Sequence, residues 1–295
     1  MLETKPIGTV LGKSVGLIVQ SDESRNAMAL DRDEVIELFK RHGALLFRGF
    51  DFDGERDFRA FTEVFGRDFI SYPALTRGQV SEDNTTQTVD DTTQAIPLHS
   101  ELSYLPAPLC PEMCWFLCVR PPAVNGQTLL CDGLFVHPFL AEEVRKLLEE
   151  RRLKYVMEFS VQTCLNYFQA DSLSRFYEVI ERHSLQHVFR VEDDTVYMDR
   201  VSPVFTRSKF GAEKVLANNI VNNGRGASVP VFEDGSIIPD YIYDELQSVT
   251  DRLTVEVDWQ PNDLLIVDNT RVMHGRREIE DELRLIHTRF SSTNF

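Results

Sequence analysis

The sequence predicts a mainly β domain, a sandwich or barrel, with helices at its start and in insertions. Two observations carry this. From residue 113 onward short strand-like runs recur between turn residues: "MCWFLCV", "TLLCD", "KYVMEF", "TVYMD", "LTVEVDW", "DLLIVD" and "LRLIHTRF". The helical segments, in turn, do not alternate strictly with strands, as a parallel doubly wound sheet would require. No glycine-rich dinucleotide fingerprint or phosphate loop is present.

In chain order, residues 32–42 read as a helix. Asp31 can cap it, Val35, Leu38 and Phe39 share a face, and Gly43 stops it. "ALLFRGF" follows as a short buried strand. Residues 55–65 give a second helix with Phe58, Phe61 and Phe65 on one face and Gly66 at its end. Residues 71–96 are rich in Thr, Asp, Gln and Ser and lack periodicity. A stretch of this kind is a functional loop or is disordered. Since it leads straight into His99, it reads as an active-site lid, with a passive loop as the alternative. Further helices are expected near 138–152, 172–183 and 239–252, the last presenting Tyr241, Leu246 and Val249. Residues 1–295 are read as a single domain.

The net charge of −16 argues against nucleic acid and anionic membranes, which both need basic patches. The longest apolar run, Met113 to Val119, is too short to span a bilayer, and the N-terminus does not resemble a signal peptide. Five cysteines without a Cys-x-x-Cys pair suggest reduced thiols and a cytoplasmic location. Cys110, Cys114 and Cys118 recur at helix-like spacing and read as small buried side chains.

The chemistry centres on "PLHSELSYLP", residues 97–106. Chance alone gives ~1 His-x-Asp/Glu match in a chain of this composition, so the pair His99 and Glu101 needs context. Two ligands at i and i+2 on a strand would share a face. Far downstream, "WQPNDLLIVDNTRVMHGRREIEDELRLIHTRF" (259–290) supplies His274 beside Gly275, and the flanking runs read as a hairpin or its near equivalent. Two imidazoles and one carboxylate on one face of an ion make the facial triad of non-haem iron(II) oxygenases, with positions left open for cosubstrate and oxygen. Arg284 stands between two leucines ten residues after His274. A guanidinium aimed into a core needs a negative partner, and its fork suits a carboxylate. That partner is a small-molecule carboxylate, or else Arg284 reaches solvent or an internal Asp.

In their joint order these motifs resemble the taurine dioxygenase-like family of iron(II)/2-oxoglutarate-dependent oxygenases. The matching stretches run from about Val35 to Ser292 and include "GALLFRGF", "LHSELSY", "PPAVNGQTLLCDG", "FEDGSII" and "WQPNDLLIVDNTRVMHGR". The resemblance implies a double-stranded β-helix, or jelly-roll, with the metal at one mouth. It implies Fe(2+), with 2-oxoglutarate and O2 as cosubstrates. Thr128 would lie beside 2-oxoglutarate and Arg284 would hold its distal carboxylate. The reaction would release succinate and CO2 while oxidising a C–H bond, usually by hydroxylation, with desaturation or cyclisation as variants.

Three departures from the family pattern matter. Glu101 stands where Asp is often found, which resembles the branch acting on amino acids or on amino-acid units tethered to carrier proteins. The carboxylate also argues against a halogenase. Asn262 replaces a glycine at a turn. Thr288 stands where taurine enzymes carry a second arginine, and the next arginine is Arg289, which makes a sulfonate substrate doubtful. Tyr104 and Arg289 are candidate substrate contacts, each equally readable as scaffold. His287 reads as packing or surface, and His42, His137, His183 and His187 receive no role. Two other readings stay open: a jelly-roll metalloenzyme that uses the triad without 2-oxoglutarate, and a non-catalytic binding module on the same scaffold. Oligomeric state is not readable.

Overall fold

The protein is described here by a computed structural model covering every residue except 1, 22, 24, 72–75, 107–108, 169, 223–228 and 281–283. The first half runs β1 (Thr4–Val10), β2 (Lys13–Gln20), α1 (Arg32–His42), β3 (Ala44–Arg48), α2 (Gly54–Phe65), β4 (Gly66–Arg67), β5 (Gln87–Thr88), β6 (Ile96–His99), β7 (Met113–Arg120), β8 (Thr128–Asp132) and α3 (Glu142–Glu150). There follow β9 (Arg152–Ser160), α4 (Val161–Tyr167), α5 (Leu173–Arg182), β10 (Phe189–Glu192), β11 (Thr195–Pro203), β12 (Val231–Phe232) and α6 (Asp240–Leu253). The last strands are β13 (Thr254–Val257), β14 (Leu264–Asp268), β15 (Val272–Arg276) and β16 (Leu285–Thr293).

A large sheet has the order β1-β2-β3-β14-β7-β16-β4, with β5 added on β16. Facing it is a smaller sheet, β13-β8-β15-β6. The two form the double-stranded β-helix. Side-chain burial on both faces explains why the central strands β7 and β14 are apolar nearly throughout. In β7, Cys114, Phe116 and Cys118 enter the core between the sheets, while Met113, Trp115 and Leu117 face α1 and α2. Both faces are covered, so no polar alternation survives. Cys114 and Cys118 thus share one strand face, while Cys110 precedes the strand; all five cysteines are free thiols.

The helices form where local rules place them. The Asp31 carboxylate accepts from the Glu34 N–H at 2.9 Å, and Gly43 closes α1 with φ 71°. In α2, Phe58, Phe61 and Phe65 all pack on the large sheet. In α6 the buried stripe is Ile242, Leu246 and Val249, and Tyr241 points outward at 54% exposure. Helices α3 to α6 and a third sheet, β10-β11-β9-β12, build a separate core with the outer side of the small sheet, through Leu98, Cys131 and Met273.

Two expectations are corrected. The chain from β14 to β16 is not a hairpin: β14 and β16 both pair with β7 in the large sheet, and β15 between them crosses to the small one. That crossing is what carries His274 away from its sequence neighbours. The stretch before His99 is also not structureless. Between 76 and 91 it forms a hairpin, with Thr88 N–H donating to the Gly78 carbonyl at 2.8 Å and Val80 N–H to the Thr86 carbonyl at 3.0 Å. Asn262, the replaced turn glycine, adopts φ 66°, a conformation Asn tolerates.

A buried ion pair locks the β8 and β15 ends to α1. Arg271 Nε and Nη2 donate to the Asp132 carboxylate at 3.0 and 2.5 Å, and its Nη1 donates to the Arg41 carbonyl at 2.9 Å. Arg271→Ala leaves the Asp132 charge buried and should cost about 3–5 kcal/mol in urea unfolding. A loss under about 1 kcal/mol, the surface-pair range, would show the pair to be incidental.

Candidate metal centre

Strand β15 lies antiparallel to β6 with His274 directly opposite His99. The two rings sit with centroids 4.6 Å apart and planes at 48°. After that pair the register slips, and Arg276 falls opposite Ile96. Gly275 occupies the slip. A Cβ there would lie 2.6 Å from the Ile96 carbonyl oxygen, so only glycine lets the strands close to this distance. His99 Nδ1 is 2.9 Å from the Pro97 carbonyl. As the donor in that bond Nδ1 carries the proton, which leaves Nε2 as a free ligand atom. Burial above all, with the Arg77 charge nearby, holds the His274 pKa well below its ordinary value. Its ring is neutral, the form that ligates metals.

Glu101 does not lie on the strand, contrary to the shared-face expectation. Strand β6 stops at His99, and Glu101 enters a turn in which Leu102 takes φ 52°. Asn269, in the β14–β15 connection, grips that turn from both sides. Its Oδ1 accepts from Glu101 N–H at 2.7 Å, and its Nδ2 donates to the Glu101 carbonyl at 2.9 Å. His99, Glu101 and His274 each offer a ligand atom, all within 4.8 Å of one another. This donor set fits one divalent ion: two nitrogen donors, one carboxylate, and a buried His274 Nδ1 without a hydrogen-bond partner among the described residues.

These groups open into a cavity of about 150 Å³ with Thr128 and Arg284 also in its wall. Thr128 Oγ1 accepts from Trp259 Nε1 at 3.0 Å and from Arg284 Nη2 at 3.4 Å. Arg284 precedes β16, and its Nε is buried with no partner among the described residues. Burial, aided by the nearby Arg276 charge, pushes its pKa down to about 10. A guanidinium in this condition is a ready site for a carboxylate.

Other candidates are not brought to the cavity. Arg289 projects from the opposite face of β16, is 1% exposed, stacks 3.6 Å from the Phe69 ring centroid, and donates to Thr62 on α2. Strand alternation puts Ile286 and Phe290 inside and Arg289 outside. The one irregularity, between Leu285 and Ile286, does not undo that. Tyr104 packs against the helical core and is not in the cavity wall. His137 pairs with Glu149 at 2.8 Å, and His287 lies opposite Thr88 on β5.

Sequence reasoning missed Asn269, Arg276 and Arg77. Arg276 could have been found, because it lies two residues past His274 on the same strand face. It donates to the carbonyls of Asp90 and Gln94, each at 2.7 Å, and to that of Thr92, tying the preceding loop to the mouth. Arg77 comes from the aperiodic stretch, where no local pattern marks it.

Residues 3–289 match the family described as taurine catabolism dioxygenase TauD, TfdA family. The chain is 22% identical over 270 residues to the dapdiamide synthesis protein DdaC of Enterobacter agglomerans, covering 83% of this chain and 81% of that protein. It is 24% identical over 273 residues to a clavaminate synthase-like protein of Arabidopsis thaliana, covering 84% and 82%. Its fold resembles the crystal structure of a taurine dioxygenase from Burkholderia xenovorans with a TM-score of 0.65, at 13% identity, over 99% of this chain and 89% of that one.

Gly275→Ala tests the strand approach. Its Cβ must push β6 away and part the two histidines, so Mn(II) affinity by calorimetry should fall about tenfold or more, ~1.4 kcal/mol, with the far-ultraviolet circular dichroism unchanged. Unaltered affinity would mean that the site tolerates a wider strand gap.

Proposed function

Because this chain belongs to the taurine catabolism dioxygenase TauD, TfdA family, we propose that its His99–Glu101–His274 cluster binds Fe(2+) and that Thr128 and Arg284 bind 2-oxoglutarate. The chain is an iron(II)- and 2-oxoglutarate-dependent dioxygenase. When bound, these cofactors supply the oxidising chemistry: substrate C–H, O2 and 2-oxoglutarate become C–OH, succinate and CO2. The protein's own part is positional. His99 and His274 present neutral nitrogens, Asn269 fixes the Glu101 backbone, and Arg284 neutralises the cosubstrate's far carboxylate while Thr128 steadies its guanidinium.

The observation that carries this reading is Arg284 itself. A buried guanidinium without a carboxylate among the described residues, in the same small cavity as three metal-type donors, calls for a ligand with an acid at one end and a chelating group at the other. 2-Oxoglutarate has that form.

The substrate we propose is a small, polar, amino-acid-like molecule, free or carrier-tethered, and the outcome hydroxylation, with desaturation open to the same chemistry. Supporting this are Glu101 in place of Asp and relatives named for dapdiamide synthesis and for likeness to clavaminate synthase. Thr288, buried where taurine enzymes carry arginine, supports a non-sulfonate substrate. We treat residues 1–295 as one catalytic domain and the 71–96 segment as its lid; its residues 72–75 lie outside those described. No helix of the described residues is long and apolar enough to cross a membrane.

Two measurements test the reading. Anaerobic iron(II) plus 2-oxoglutarate should produce the weak visible band of a chelated 2-oxo acid, and succinate should form once oxygen and a substrate are supplied. Metal binding without the band would favour a metalloenzyme independent of 2-oxoglutarate, and no metal binding a non-catalytic module. Arg284→Ala should weaken 2-oxoglutarate binding by roughly 2–4 kcal/mol and leave metal affinity nearly unchanged. Equal 2-oxoglutarate affinity in the variant would remove Arg284 as the anchor.

A further inference from the structure

We propose that Arg77 is a positioning residue for Glu101, and that through it the 76–91 hairpin is part of the metal site. The inference rests on the reading of Glu101 as a metal ligand. Arg77 Nη2 donates to Glu101 Oε2 at 3.0 Å, and the two side chains are only 12% and 8% exposed. The Arg77 guanidinium lies over the Phe290 ring, 4.9 Å from its centroid.

The need for such a contact follows from the side chain. Asn269 fixes the Glu101 backbone, but a glutamate keeps more free torsions beyond that point than an aspartate does. A carboxylate swinging through this space would meet the metal in only a fraction of its rotamers. The bond from Arg77 restricts the swing at the far end. It does not consume the ligating capacity of the group, since a carboxylate offers about four lone-pair directions. The Glu101 carboxylate, bonded to Arg77, would offset the cost of a cation near a divalent ion.

Arg77 is held in turn by the hairpin. Thr76 Oγ1 donates to the Asp90 carboxylate at 2.8 Å, and Asp91 N–H donates to the Thr76 carbonyl at 2.9 Å. Arg276, two residues past His274, donates to the Asp90 carbonyl. The hairpin is therefore bonded at one side to the strand that carries His274 and at the other to the carboxylate of Glu101. Metal binding and hairpin order should rise and fall together.

The test uses Mn(II) calorimetry and backbone hydrogen exchange of the apo and Mn(II)-loaded protein. Arg77→Ala should weaken Mn(II) about 10–100-fold with an unchanged apo melting temperature, and Arg77→Lys should restore part of the loss. In the Glu101→Asp background, where the shorter carboxylate draws back from Arg77, the same Arg77→Ala change should cost under about threefold. Amides 76–91 should exchange more slowly on Mn(II) addition in the wild type and not in Arg77→Ala. Wild-type affinity in Arg77→Ala, equal losses in both backgrounds, or wild-type exchange indifferent to Mn(II) would overturn the proposal. A wild type that binds no Mn(II) would overturn the metal reading itself, a result distinct from these.

Discussion

The antiparallel pairing of β15 on β6, with His274 opposite His99, is the constraint on which the site depends. It sets the separation of two histidines that are 175 positions apart in the chain. It also determines what surrounds them. Gly275 is required because the strands approach too closely for a side chain, and the register slip beside it turns Arg276 toward the loop of residues 90–94. Ending β6 at His99 then frees Glu101 to turn back toward the rings. A longer, more regular strand would have carried the carboxylate elsewhere.

Around that pairing the protein gathers positive charge in an otherwise acidic chain. Arg77, Arg276 and Arg284 all reach the same cavity, and each is treated differently. Arg276 gives both terminal nitrogens to backbone carbonyls, with only its Nε unpartnered among the described residues, and serves as structure. Arg77 is paired with Glu101. Arg284 keeps an unpaired nitrogen among the described residues, with only a threonine oxygen nearby. The contrast with the Arg271–Asp132 pair is instructive. There burial and full pairing coincide, as expected of a structural cation, whereas Arg284, with a threonine oxygen and no carboxylate among the described residues, faces the space where a ligand would sit.

Much of this was legible beforehand, for identifiable reasons. Helices α1 and α2 follow from caps and apolar spacing, which are local. The strands follow from runs such as "DLLIVD", whose two-sided burial leaves no polar residues. Hidden were β1 and β2, whose residues alternate only weakly, and α4, which at 7 residues is too short to show a helical period. That His99, Glu101 and His274 would come together was readable from their order along the chain. Arg289 was not resolvable, because its side depends on strand phase, and a single bulge would have reversed it.

The sequence by itself determined which residue types were available and in what order: a His-x-Glu, a distant His-Gly, and an arginine ten residues on, within a strand-rich chain. Those are properties of short windows, and local physics suffices to read them. Only the tertiary structure decided that β15 leaves the sheet of its neighbours to face β6, that Glu101 comes from a turn, and that Arg77 rather than Arg289 faces the cavity. These depend on register, on strand phase and on where a loop is tied down, all of which are fixed by contacts between residues far apart in the chain. Local propensity carries no information about them.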